Sequence, residues 1–76
     1  MLAAALEHVV KAIVDRPDDV RIEATSSPRG DVLDVHVHPD DRGRVIGRGG
    51  RTAKSLRTVV AALAAGRRVR VDISDD

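Results

Sequence analysis

Between residues 41 and 56 the chain reads Asp-Arg-Gly-Arg-Val-Ile-Gly-Arg-Gly-Gly-Arg-Thr-Ala-Lys-Ser-Leu, with three glycines in the four positions Gly47-Arg48-Gly49-Gly50. Such a run continues neither a helix nor a strand, because glycine loses the most backbone entropy on ordering and readily accepts positive φ. The pattern predicts a sharp turn, entered from the apolar pair Val45 and Ile46 and left through a segment of helical spacing. With so few side chains in the turn, a ligand can lie against the main chain itself. A helix starting directly after it would aim unpaired N–H groups and the positive end of its dipole at that ligand, which favours an anion. Arg44, Arg48, Arg51 and Lys54 crowd the same place, so phosphate is the expected ligand.

The formal net charge of +1 conceals a strong asymmetry. From Arg42 to Arg70 there are nine basic residues and no acid, while the remainder holds four basic and twelve acidic residues. This is the electrostatic footprint of a protein that meets a polyanion with part of its surface. Phe, Tyr and Trp are absent, which removes the stacking platforms of RRM and OB-type surfaces. Base contacts are left to aliphatic side chains, hydrogen bonds and guanidinium planes. At 76 residues one small domain with a thin core is expected, better suited to binding than to multi-domain catalysis. The chain has no cysteine, so disulfides and thiolate metal sites are excluded. Leu2 to Leu6 is too short for a membrane span and lacks the flanks of a signal peptide, so a cytoplasmic protein without membrane contact is expected.

Leu2, Leu6, Val9, Val10, Ile13 and Val14 recur at steps of three and four, predicting an amphipathic helix over 2–14 that Pro17 ends. Val20, Ile22 and Ala24 then alternate with Arg21, Glu23 and Thr25 as a half-buried strand does. Ser26-Ser27-Pro28-Arg29-Gly30 supplies turn chemistry. In the following strand Leu33, Val35 and Val37 face one way and Asp34, His36 and His38 the other, so the two strands pair as a hairpin. Pro39 closes the second strand, and Asp40 or Asp41 caps a short helix carrying Val45 and Ile46 into the turn.

From Arg51 to about Ala65 a longer helix carries a core stripe of Ala53, Leu56, Val60, Leu63 and Ala64, with Arg51, Lys54 and Arg57 on another side. A third strip, Thr52, Ser55, Val59, Ala62 and Gly66, is small and weakly apolar. It is either an ordinary exposed flank or a subunit contact, and Thr52, Ser55, Val59 and Ala62 are the candidate dimer-interface residues. Gly66 stops this helix. Val69, Val71 and Ile73 form a last strand before the acidic tail Ser74-Asp75-Asp76. The order predicts an α+β domain, a three-stranded sheet packed on one face by three helices.

Both this order, α-β-β-α-α-β, and the residues Val45-Ile46-Gly47-Arg48-Gly49-Gly50-Arg51-Thr52-Ala53 resemble the K-homology (KH) domain, whose signature is an Ile-Gly-x-x-Gly loop between two helices. The helix and strand placed ahead of the core resemble the bacterial type II form. With His36-Val37-His38-Pro39-Asp40-Asp41 leading into Gly43-Arg44-Val45-Ile46, the chain is similar to the small bacterial KhpA-like family of RNA-binding proteins. The resemblance covers essentially the whole chain and implies a single KH domain over 1–76 with its GxxG loop at 47–50. It further implies that the loop clamps the sugar-phosphate backbone of single-stranded RNA, with Val45 and Ile46 as the apolar floor beneath the bases. An RNA chaperone or post-transcriptional regulator is implied, self-associating as a homodimer and able to form a heterodimer with a larger KhpB/Jag-like protein. Ala53 departs from the isoleucine common at its position in the wider KH family.

The residues expected to bind RNA are therefore Arg44, Val45, Ile46, Gly47, Arg48, Gly49, Gly50, Arg51 and Lys54. Arg57, Arg67, Arg68 and Arg70 stand as either further contacts or solvated charges. A grip on phosphate would also accept single-stranded DNA, since discrimination through the 2′-OH is not legible here. A nucleotide-hydrolysing P-loop fails on spacing, with Val45 where its first glycine would stand and Arg51 in place of its lysine. A dinucleotide fingerprint lacks its third glycine. Asp34, His36 and His38 lack a fourth metal ligand, so no metal and no cofactor is expected. No nucleophile, base and orienting group stand at catalytic spacing, so no enzyme is expected. The rival is a protein-interaction module that docks a partner through the strip around Val59.

Overall fold

The computed structural model describes residues 2–74, so Asp75 and Asp76 of the acidic tail lie outside the described residues. Helix α1 (Leu2–Ile13) forms where an alanine-rich sequence carries Leu2, Leu6 and Val10 one above the other. Leu6 and Val10 are buried, whereas Val9 and Ile13, expected in the same stripe, are exposed. A three-stranded sheet offers a helix only a narrow bed, so the row in line with Leu6 is covered and the adjoining row stands clear.

A 3₁₀ turn at Pro17–Asp19 delivers buried Val20 to the start of strand β1 (Arg21–Ser27). This is an edge strand, with Ile22 partly buried and Ala24, expected to face the core, exposed. Strand β2 (Gly30–His36) pairs with it antiparallel, Ile22 opposite Val35 and Ser27 opposite Gly30, so the hairpin closes through Pro28 and Arg29 alone. The Ser27 hydroxyl donates to the Gly30 carbonyl at 2.8 Å. Strand β3 (Val69–Ile73) lies parallel to β2 with Val71 beside Leu33, giving the order β1-β2-β3.

Parallel neighbours need a connection that crosses back over the sheet. Here it consists of a 3₁₀ turn at Pro39–Asp41, helix α2 (Arg42–Ile46), the glycine turn, left-handed at Gly49 and Gly50, and helix α3 (Arg51–Leu63). The path puts the glycine turn towards the end where β2 finishes and the far end of α3 where β2 and β3 begin. Leu6, Val10, Leu33, Val35, Val45, Leu56, Val60 and Val71 meet in one wholly aliphatic core. No helix among the described residues is long and apolar enough to cross a membrane.

Three details differ from the sequence pattern. Leu63 is exposed, and α3 ends there because Ala65 (φ 54°) and Gly66 (φ 90°) both turn left-handed. His38 lies beyond β2, where its Nδ1 accepts the Asp40 N–H at 3.1 Å. Asp41 stands at the start of α2 but makes no side-chain cap. Its carboxylate is 1% exposed and instead accepts the N–H groups of Asp15 and Arg16, each at 3.1 Å. Two charge-assisted bonds to backbone are what makes a buried carboxylate tolerable, and they fasten the chain leaving α1 to the start of α2.

Candidate nucleic-acid interface

Helix α2 has five residues, and two adjacent ones have opposite fates. Val45 is fully buried in the core, while Ile46, one helical step round, is 40% exposed beside the glycine turn. Val45 thus cannot touch a ligand, contrary to the sequence expectation. Consecutive helical residues differ by about 100° in direction, so of this pair only Ile46 presents an apolar side chain at the surface beside the turn.

Gly47 ends α2, its N–H donating to the Gly43 carbonyl at 2.8 Å and its backbone at φ 79°, ψ 170°. A β-carbon at this position would come within 2.8 Å of the Thr52 backbone nitrogen, so both conformation and space demand glycine. Gly49 (φ 63°, ψ 20°) and Gly50 (φ 78°, ψ 13°) are left-handed, with nothing near where a β-carbon would stand. The Gly50 N–H donates to the Gly47 carbonyl at 3.1 Å, and the Arg51 N–H to the Arg48 carbonyl. The amides of Arg48 and Gly49 fall outside these bonds. Gly50 at the N-cap of α3 brings no side-chain oxygen to the first amides of that helix, so no side-chain cap at this residue offsets the positive end of the dipole.

Arg48, Gly49, Arg51 and Lys54 are exposed and Gly47 and Gly50 half-buried. Among the described residues, the side chains of Arg48, Arg51 and Lys54 form no ion pair, and their charges face outward uncompensated. Arg44 is different. Its guanidinium bridges Asp15 at 2.9 Å and Asp41 at 3.6 Å, so it straps α2 to the end of α1 and a phosphate would compete with two carboxylates for it. Arg57 turns away, its Nε donating to the Val71 carbonyl at 3.0 Å and tying α3 to β3. Ala53 is buried under the turn and belongs to the core.

On the other side of α3 the strip Ser55, Val59 and Ala62 is exposed and Thr52 half-buried. Among the described residues Val59 at 51% and Leu63 at 55% are the most exposed large apolar side chains, and with Val9 they border an apolar groove of about 80 Å³ between α1 and α3. The spacing of Val59 marks it out, whereas periodicity alone puts Val9 and Leu63 in the core stripes. Only the angle at which α1 and α3 lie on the sheet puts those two on the same open edge. No group of His, Cys, Asp or Glu among the described residues is arranged to hold a metal ion.

Comparison with known proteins agrees with this geometry. Residues 3–74 match the family described as KhpA/KhpB, KH domain. The chain is 74% identical over 76 residues, the full length of both chains, to a protein of Leifsonia xyli named RNA-binding protein KhpA. Proteins of the same name from Streptomyces coelicolor and Mycobacterium tuberculosis are 63% identical over 75 residues and 61% over 71, covering 99% and 93% of this chain and 94% and 88% of theirs. No solved structure matches the chain significantly. A match over nearly every residue, an α-β-β-α-α-β order and a glycine turn between two helices lead to one conclusion: this chain belongs to the KhpA/KhpB family of KH domains.

Proposed function

We propose that this chain is a single KH domain over 1–76 that binds single-stranded RNA at Gly47-Arg48-Gly49-Gly50, acting in the cytoplasm as an RNA chaperone or post-transcriptional regulator and not as an enzyme. The observation that carries the reading is the open glycine turn at a helix start without a side-chain cap, flanked by three cations that have no carboxylate partner among the described residues. Phosphates lie against the amides of Arg48 and Gly49 and the start of α3, with Arg48, Arg51 and Lys54 supplying charge. Ile46 gives the bases an apolar surface. One such groove holds about four nucleotides, and contacts of this kind fix register without reading sequence. The grip is on phosphate, so single-stranded DNA binds too. The name shared by the relatives supports RNA as the working ligand.

The test is the double variant Arg48→Asp, Gly49→Asp. The space beside Gly49 is open and its left-handed backbone is one that aspartate accepts, so the fold is kept. RNA crosslinking is expected to fall at least about tenfold through lost phosphate contacts, with circular dichroism unchanged. Undiminished crosslinking rejects the assignment.

The apolar groove between α1 and α3 favours a second, compatible reading, an interaction module. A homodimer, or a heterodimer with a larger KhpB/Jag-like KH protein, forms through Thr52, Ser55, Val59 and Ala62, with Val9 and Leu63 at the margin. Pairing two short RNA grips raises affinity by linked binding.

A further inference from the structure

Arginines gather at a second place, the end of the molecule away from the glycine turn. Gly30 (φ 129°) opens β2 there, and a β-carbon on it would lie 2.7 Å from both the Cβ and the carbonyl oxygen of Arg68. Only glycine lets the hairpin close so tightly on the entry to β3, where the Asp31 N–H donates to the Arg68 carbonyl at 2.9 Å. That closure sets Arg29, at the hairpin tip, beside Arg67 and Arg68. All three line a concavity of about 410 Å³ and a shallower hollow that adjoins it.

Arg29 and Arg68 form no ion pair among the described residues, and Arg67 commits only its Nε, to the Ala64 carbonyl at 3.3 Å. Arg70 also lines the concavity, but its charge is spent. Its Nε and Nη2 reach the Asp72 carboxylate at 3.1 and 2.8 Å, and that hydrogen bond, with the charge behind it, raises the Arg70 pKa further. Asp31 is the one acid among the described residues that lines either hollow. Three guanidiniums without an ion pair among the described residues, against one carboxylate and with no aromatic ring in the chain to stack on a base, suit phosphate oxygens and nothing more selective.

We propose that this basic hollow is a second phosphodiester site, which holds a stretch of the same RNA strand beyond the part gripped at the glycine turn. It rests on the RNA reading above. The two places are separated by the length of α3, whose 13 residues span about 20 Å. An RNA that just fills the turn does not reach the hollow; a longer one does. The charge asymmetry of the sequence, spread over Arg42 to Arg70 and not confined to the turn, then has a use at both ends of the helix.

The experiment compares the triple variant Arg29→Gln, Arg67→Gln, Arg68→Gln with the unaltered chain on two single-stranded RNAs, of about four and about sixteen nucleotides, across a salt series. The exposed positions and retained Cβ atoms leave the fold intact, checked by thermal melting. The short RNA is expected to bind both proteins alike. The long RNA is expected to bind the variant about tenfold more weakly, with its log–log salt slope shallower by about 2, from about 0.7 for each of three lost phosphate contacts. Arg→Lys replacements at the three positions should restore most of that slope. Equal weakening on both RNAs would mean the substitutions act on the glycine turn and overturns the proposal. Unchanged binding on both would assign the hollow to another partner, such as an acidic protein surface, and overturns it as well. If the unaltered chain bound neither RNA, the RNA reading itself would fall first.

Discussion

At Gly47, φ 79° with ψ 170° belongs to a region that residues with a side chain avoid, and an added methyl would press on the Thr52 main chain at 2.8 Å. The expected effect of Gly47→Ala is a loss of about 2–4 kcal/mol of stability, from backbone strain plus the clash, read as a lower urea midpoint. Gly49→Ala meets open space and should cost only about 1 kcal/mol for its left-handed backbone. Comparable losses at the two sites would show that Thr52 does not confine Gly47. The three glycines look alike in the sequence, and the turn could be read from them. Their division into one packed position and two open ones could not, because it depends on where α3 starts relative to the end of α2. Val45 and Ile46 teach the same lesson: both are apolar, and only the helix phase sends one to the core and the other to the surface.

Helix α3 serves three surfaces at once. Ala53, Leu56 and Val60 bury one face against the sheet, Arg51 and Lys54 stand by the glycine turn, and Val59 lies in the open with Leu63. The spacing disclosed the core face and the basic face, and it misassigned Leu63, because periodicity says which residues share a face and not how far the neighbouring layer extends. Since Val59 is half-exposed in the single chain, Val59→Asp should leave the melting temperature nearly unchanged. It should weaken self-association at least tenfold, about 1.4 kcal/mol or more, by placing a charge in an apolar contact. Sedimentation velocity over a dilution series measures this, and an unaltered dimer would locate the interface elsewhere. Arg57, which shares the basic face in the sequence, belongs instead to the junction of α3 with β3 through the Val71 carbonyl.

Over the whole molecule, positive charge concentrates along the path from α2 through α3 to β3, and acids cluster on the rest of the chain. A short RNA held by Arg48, Arg51 and Lys54 should lose affinity with salt at a log–log slope of about −2, near 0.7 per phosphate on a single strand. Fluorescence anisotropy from low to high salt checks this, and a slope near zero would mean that the cations do not touch phosphate. The sequence by itself determined the α+β class, the order of elements, the glycine turn between helices and the charge gathered around it, because each is written in local periodicity, turn chemistry or composition. Which cations remain available was decided by tertiary structure. Arg44 pairs with Asp15 and Asp41, Arg70 pairs with Asp72, and Asp41 gives up capping α2 to hold the backbone after α1. The reason is physical: a charge takes its partner from whatever the fold brings within a few ångströms, and some 25 residues of chain separate Asp41 from the amides it binds.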